Sequence, residues 1–297
     1  MVFGAGAMGS LIGGLLSSRH EVTLVARPDH VRAIRHCGLR ITGKTDMISE
    51  AWAMTDVPRI KQDLVIISTK AYDTASSMRH LKRFWHSALF LTLQNGLRNA
   101  DIIAASADRV IAGTTSHGVT QVRDGIVRHA GFGDTYLGAF KQVTTGEVRG
   151  LCHEFTACGF PAKLSNDIRR DMWIKAIVNA AINPLTAITK VENGRLLQIP
   201  QLVVLMRMSC EESATVATAE GHRIRMDEAV RTAEKVASRT ATNRSSMLQD
   251  IDRGRRTEVS EISGAIVEAA VRRGISTPVI DSLRHAVNEL EGHLQNA

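Results

Sequence analysis

The sequence predicts an α/β domain followed by an all-helical domain, and three observations predict it. Up to residue 165 short β-rich runs alternate with helical stretches, beyond it the spacing is helical throughout, and the chain opens on a glycine cluster set between a strand and a helix. The expected division is residues 1–165 and 166–297. A chain of 297 residues has room for about two domains, each with a well-formed core.

Taken in order, residues 1–3, 22–26, 64–68, 89–93 and 110–112 read as buried strands, with helical patterns after Gly9, after Asp73 and over 99–107. This alternation is the pattern of a parallel sheet covered by helices. Residues 125–129 and 135–138 read as an antiparallel addition. Amphipathic or buried helical spacing then covers 168–182, 201–219, 228–240, 257–272 and 279–290. No internal repeat or low-complexity linker separates the two parts, so a cleft between closely packed domains is expected.

The opening cluster is Gly4-Ala5-Gly6-Ala7-Met8-Gly9. With an apolar strand before it and the helical run 10–18 after it, the spacing is that of a dinucleotide-binding turn, and the domain is expected to be Rossmann-like. Gly4 allows the tight turn, Gly6 lets a pyrophosphate approach the backbone, and Gly9 lets helix and strand pack closely. Cofactor choice is read at the end of the second strand. A site for NAD places an acidic residue there, whereas this strand ends in Arg27, suited to the 2′-phosphate of NADPH or NADP+. Glu21 lies roughly 20 Å too early to serve the ribose.

The most informative helix carries one polar row. Between Met172 and Asn183 every residue is apolar except Lys175, Asn179 and Asn183, which recur at i, i+4 and i+8 and stack along one stripe. A buried ammonium with two buried amides is costly unless something polar faces it, and a polar cavity holding a ligand answers that need. Reduction of a carbonyl by a nicotinamide takes a hydride from the cofactor and a proton for the nascent alkoxide, and a lysine can supply the proton. Burial lowers the lysine pKa while a nearby carboxylate raises it. Pro184 disfavours helix at the residue before it, so Asn183 is expected at a helix end or kink.

Composition excludes several classes. Hydrophobic residues at 44% and charged ones at 23% are ordinary for a soluble globular chain, and no run approaches the roughly 18 apolar residues of a membrane span. The glycine-rich start is unlike a secretory signal. Four cysteines, at 37, 152, 158 and 210, show no metal or disulfide spacing, so no metal is expected and the expected compartment is the cytoplasm. Of the net charge of +7, +6 belongs to the first half, where 19 Lys and Arg stand against 13 Asp and Glu up to residue 165. These basic residues form no run and aromatic residues are 4%, which favours a charged small cofactor over nucleic acid.

Longer motifs accompany these: Ser68-Thr69-Lys70-Ala71, Gln94-Asn95-Gly96, Gly113-Thr114-Thr115-Ser116-His117-Gly118, Ile182-Asn183-Pro184-Leu185-Thr186-Ala187-Ile188, and Ser245-Ser246-Met247-Leu248-Gln249-Asp250-Ile251 followed by Thr257-Glu258. With the opening glycines they span nearly the whole chain, which resembles the ketopantoate reductase family. The resemblance implies a 6-phosphogluconate-dehydrogenase-like helical domain, a monomer or homodimer, and NADPH-dependent reduction of 2-dehydropantoate to (R)-pantoate in pantothenate and coenzyme A biosynthesis. By it Lys175 is the proton donor, and Asn179, Asn183, Asn193 and Ser246 bind the 2-oxo acid. Asn95 lies between cofactor and substrate, Glu258 beside the nicotinamide ribose or a substrate hydroxyl, and the backbone near Val119 at the cofactor, with Lys70 also a cofactor contact.

Plainer readings stand beside these. Lys70 can be a surface lysine, Asn95-Gly96 and Asn193-Gly194 turn signals, and Glu258 a favourable charge at a helix start. His117 has no partner pattern of a catalytic histidine and reads as structural. Gly254 puts Ser246 and Glu258 on successive helices. The first strand is short beside the family's, with only residues 1–3 before the glycines. Other functions remain open: reduction of a different branched 2-oxo acid, since a pocket discriminates only about 1–3 kcal/mol per methylene, or a non-catalytic NADP sensor.

Overall fold

The structure is a computed structural model and describes residues 1–295. It contains two compact units, one made of Met1–Gln94 and Asn99–Ile168, the other of Asn95–Arg98 and the chain from Arg169 onward. The short segment Asn95–Arg98 thus groups with the helices although it lies within the first half of the sequence.

In the first unit an eight-stranded sheet runs in the order Lys163–Leu164, Thr135–Lys141, Arg109–Thr115, Leu89–Thr92, Leu64–Ile67, Val2–Phe3, Thr23–Val25 and Trp52–Met54. The last six pair in parallel, with Val2 opposite both Leu24 and Ile66. Continuous apolar runs suit strands covered on both faces, and Val65, Ile66, Ile67, Phe90, Leu91 and Ile111 are buried accordingly. Chain order reverses at Val2–Phe3, the central strand, which is only two residues long. Such a switch point gathers ligands at the carboxyl ends of the strands.

The expected antiparallel addition is found at Thr135–Lys141, which pairs antiparallel with Arg109–Thr115. The segment expected at 125–129 behaves differently. Ile126–Gly131 leaves the large sheet and joins a second, four-stranded one, parallel to Leu39–Gly43 and antiparallel to Gly118–Arg123, with Met47–Ser49 on the outer edge. The cause is the Ala7–Leu16 helix, which is apolar on every side and needs cover on two. A Cβ at Gly13 would lie 2.3 Å from Leu24 of the large sheet, and one at Gly14 would lie 2.6 Å from Ile41 of the small sheet.

The second unit is helical: Pro200–Ala219, Met226–Arg239, Ser246–Asp252, Ala265–Arg273 and Pro278–Gln295 surround the long Ile168–Thr189 helix. Ile177, Ala181, Met206, Cys210, Ala233, Ile266 and Ile280 share its core. Two helices were not expected from the sequence, Pro28–Cys37 and Thr145–Ala157. The last has a legible start, since Thr144 and Glu147 form a reciprocal capping box. The run expected at 257–272 starts later, with a wide π turn over Ser260–Gly264 ahead of Ala265–Arg273.

The long helix narrows another expectation. It continues through Pro184 to Thr189, so of the helix end and the kink expected at Asn183 the end is excluded. Proline has no N–H for the Ala180 carbonyl, which would be orphaned in the core. The Ser209 hydroxyl, on the neighbouring helix, donates to that carbonyl at 3.3 Å. Thr186 Oγ1 lies 3.1 and 2.9 Å from the Ile182 and Asn183 carbonyls. Ser209→Ala should therefore cost about 1 kcal/mol in urea unfolding. The loss should vanish in a Pro184→Ala background, where the helix supplies its own donor, and additive losses would show that Ser209 does not replace the missing N–H.

Candidate active site

In the α/β unit the glycine turn is assembled from both neighbouring strands. The amides of Gly4 and Ala5 both donate to the Val25 carbonyl, at 3.0 and 2.9 Å. Gly4 has φ +90°, a conformation open to glycine, and a Cβ there would lie 2.6 Å from the Thr69 amide nitrogen. Gly9 allows helix and strand to meet, because its Cβ would fall 2.3 Å from Ser68 Oγ and 3.1 Å from Val2. Gly6 is different. Apart from the adjoining residues, the nearest protein atom to the place its Cβ would take is the Gly4 carbonyl oxygen at 3.9 Å, so packing does not require glycine there.

Gly6 is the N-cap of the Ala7–Leu16 helix, which has no side-chain cap and no acidic residue in its first turn. Amides that the helix cannot satisfy, an N-terminal dipole and a bare Gly6 together fit an anion such as a pyrophosphate. Ala5, Ala7 and Met8 complete this turn. Arg27 is exposed two residues past the Thr23–Val25 strand and forms no ion pair among the described residues. Lys70 is half-buried at the carboxyl end of Leu64–Ile67. Val119 stands in the small sheet, paired with His129 and packed on the core beneath the Ala7–Leu16 helix.

Gln94 escaped the sequence reading as a site residue although its motif was evident. Its amide donates to the Thr69 carbonyl and to Thr74 Oγ1, each at 2.9 Å, and its carbonyl accepts from Thr92 Oγ1 at 2.9 Å. It ties together two strand ends beside Lys70. His117 is buried, stacks on Phe160 with ring centroids 4.4 Å apart, and shares a hydrogen bond of 3.0 Å with His129. Burial and the neighbouring histidine push its pKa down to about 4, so it is neutral at ordinary pH.

In the helical unit Lys175, Asn179 and Asn183 occupy one face of the long helix, the first two half-buried and Asn183 buried. Burial pushes the Lys175 pKa down to about 8, against the pull of the Glu258 carboxylate. Glu258 is itself buried and its carbonyl accepts from the amides of Glu261 and Ile262, opening the helical run. Its carboxylate accepts from Asn95 Nδ2 at 3.1 Å, a pairing across 163 residues of chain. Asn95, Glu258 and Lys175 are thus brought into one charged and hydrogen-bonded group.

Ser246 and Asn193 are joined to the same unit through the 240–245 loop. Ser246 is exposed at the start of its helix, while the preceding Ser245 is buried, caps Leu248 N and accepts from Thr186 Oγ1 at 2.7 Å. This bond brings the Ser246 helix to the turn holding Asn183. Asn193 N donates to the Asn243 carbonyl at 3.0 Å and its Nδ2 donates to Thr240 Oγ1 at 2.8 Å. Its Oδ1 is buried with no partner among the described residues, an acceptor free for a ligand. Thr186 and Ser245 were missed by sequence reading, yet Thr186 extends the polar stripe by another i+3 step and Ser245 precedes an apolar run as helix caps do. Among the described residues no cluster of three or more His, Cys, Asp or Glu could hold a metal ion, and no helix is long and apolar enough to cross a membrane.

A glycine turn at the switch point of a parallel sheet, with a half-buried lysine coupled to a buried glutamate in a helical unit, defines the class: a two-unit enzyme of the oxidoreductase kind. Residues 1–142 match the family described as ketopantoate reductase PanE/ApbA, and residues 167–291 match its C-terminal part. The chain is 38% identical to the 2-dehydropantoate 2-reductase of Halobacterium salinarum over 294 residues, 97% of each chain. It superimposes with a TM-score of 0.91 on a PanE/ApbA family ketopantoate reductase from Ralstonia eutropha, at 34% identity over 99% of this chain and 100% of that one. A TM-score of 0.94 relates it to D-mandelate dehydrogenase in a ternary structure with NADH and anilino(oxo)acetate, at 26% identity and 99% coverage of both. The chain belongs to the ketopantoate reductase PanE/ApbA family.

Proposed function

We propose that this chain reduces 2-dehydropantoate to pantoate in the cytoplasm, with NADPH as its cofactor. The observation that carries the reading is the Lys175, Glu258 and Asn95 group, a proton donor tuned near neutrality beside a buried carboxylate. The relatives' names supply the substrate. The nicotinamide, when bound, supplies the hydride.

The remaining chemistry falls to this chain's residues. Residues 4–9 hold the pyrophosphate, Arg27 and Lys70 meet the phosphate of the adenosine end, and the backbone near Val119 adds a contact. Lys175 delivers its Nζ proton to the developing alkoxide and steadies its charge. Asn179, Asn183, Asn193 and Ser246 orient the carboxylate and hydroxyl groups of the 2-oxo acid, with uncharged donors that add no further buried charge. Asn95 and Glu258 hold the lysine's side of the reacting carbonyl.

The test is loss of nicotinamide absorbance with purified protein, 2-dehydropantoate and a panel of other 2-oxo acids, each with NADPH and NADH. Turnover confined to 2-dehydropantoate supports the reading. The likeness to D-mandelate dehydrogenase favours one alternative, a different branched or aromatic 2-oxo acid, and turnover only with such an acid would replace the substrate while keeping the mechanism. Arg27→Asp is expected to shift the NADPH to NADH preference by about tenfold or more. An unchanged ratio would remove Arg27 from the site.

The pH profile carries a further expectation. The donor must be protonated, so kcat/KM should hold below pH of about 8 and fall as pH rises through it. Glu258 raises the Lys175 pKa, so Glu258→Gln should move this alkaline limb to lower pH. A limb that stays in place or moves upward would separate the two residues.

A further inference from the structure

The glycine turn is held from behind by a chain of hydrogen bonds with a fixed direction. Gly125 N donates to His30 Nδ1 at 3.1 Å, His30 Nε2 lies 3.1 Å from Ser10 Oγ, and Ser10 Oγ donates to the Ala5 carbonyl at 3.1 Å. An amide at one end can only donate and a carbonyl at the other can only accept. His30 Nδ1 must therefore be bare and Nε2 must carry the proton, since the single Ser10 hydrogen is committed to Ala5. Gln121 Nε2 lies 3.2 Å from the same Nδ1 and is a second donor to it. The Asp124 carboxylate stands 3.5 Å away and favours the charged ring, but burial outweighs it and holds the His30 pKa below its ordinary value.

Each link is deep: Ser10 is fully buried and His30 is 2% exposed. None of it touches the open space at Gly6. On the other side of the turn Ser68 Oγ donates to the Gly4 carbonyl at 3.0 Å. With the carbonyls of Gly4 and Ala5 both drawn back to serine hydroxyls, and the Gly4, Ala5 and Gly6 amides bonded within the turn and to Val25, the amides of the first helical residues are left to face a ligand.

We propose that His30 is a positioning residue for the cofactor, linking the small sheet through Ser10 to the phosphate-binding turn. It sets the Ala5 peptide so that the turn meets the pyrophosphate without rearrangement, and acts on cofactor affinity and not on the chemical step. This inference rests on the proposal that a nicotinamide dinucleotide binds at residues 4–9.

The experiment is direct titration of NADPH fluorescence with the full chain and four variants, His30→Leu, His30→Gln, Ser10→Ala and the His30→Leu/Ser10→Ala double, each checked by thermal melting. A glutamine amide reaches the place of Nε2 and keeps a donor for Ser10, whereas leucine keeps only the volume. NADPH affinity is expected to fall about tenfold in His30→Leu and in Ser10→Ala, with little further loss in the double variant. His30→Gln should stay within about threefold of the unaltered chain, and in all folded variants KM for NADPH should rise while kcat changes by less than about twofold. If His30→Leu fails to fold, Ser10→Ala and His30→Gln decide between them. Unchanged affinity in folded His30→Leu or Ser10→Ala, or equal losses in Leu and Gln, would overturn the positioning role. Absence of NADPH and NADH binding by the unaltered chain would instead overturn the cofactor reading on which it rests.

Discussion

Lys175→Ala is expected to lower kcat by roughly 10² to 10⁴ while changing the NADPH dissociation constant by less than about threefold. The asymmetry follows from where the lysine acts. It sits in the helical unit, on the face it shares with Asn179 and Asn183, and its proton is needed only as the alkoxide forms. Burial has already brought its pKa to about 8, which suits donation near neutral pH. The substitution also leaves Glu258 buried without the ammonium that faces it, so a lower melting temperature is expected alongside the kinetic loss. The double variant with Glu258→Gln should recover much of that melting temperature without recovering kcat. Equal losses of kcat and of NADPH affinity in the single variant would place Lys175 in the cofactor's binding and not in proton delivery.

The second large effect separates two glycines three residues apart. Gly9→Val is expected to unfold the α/β unit or destabilise it by several kcal/mol, because the first added carbon already overlaps Ser68 and Val2, and overpacking of this kind typically costs about 1–3 kcal/mol per site before the turn itself is displaced. Gly6→Val should melt near the temperature of the unaltered chain, since its side chain would enter open space. It should nevertheless weaken NADPH binding by at least about tenfold, the side chain occupying the approach of the pyrophosphate. Thermal melting and NADPH titration on the two variants read both outcomes. A Gly6→Val protein that binds NADPH normally would deny that residues 4–9 hold the cofactor.

Much of the candidate site lay within reach of local pattern. The polar row at Lys175, Asn179 and Asn183 is a spacing within one helix, and the glycine turn is a spacing within one strand–turn–helix unit; helical and strand periodicity fix such faces without knowledge of the remainder. The wrong expectations have a common physical origin. A helix end or kink is expected at Asn183 because the residue before a proline disfavours helix, yet the helix runs on to Thr189, with Ser209 on another helix donating to the carbonyl that Pro184 leaves without an N–H. Residues 125–129 read as part of an antiparallel addition because their alternation names a strand but no partner, and a helix that is apolar all round claims Ile126–Gly131 for a second layer.

The sequence by itself determined the class of fold and the family, through periodicity and motifs along nearly the whole chain, and the glycine turn and the polar face of the long helix, through residues within a few turns of one another. Only the tertiary structure decided that Asn95 bonds Glu258, that Glu258 faces Lys175, that Ser245 meets Thr186 and that His30 braces the turn through Ser10. These are pairings between distant segments, and their partners are chosen by which buried polar groups would otherwise be left unsatisfied, a condition no local periodicity records.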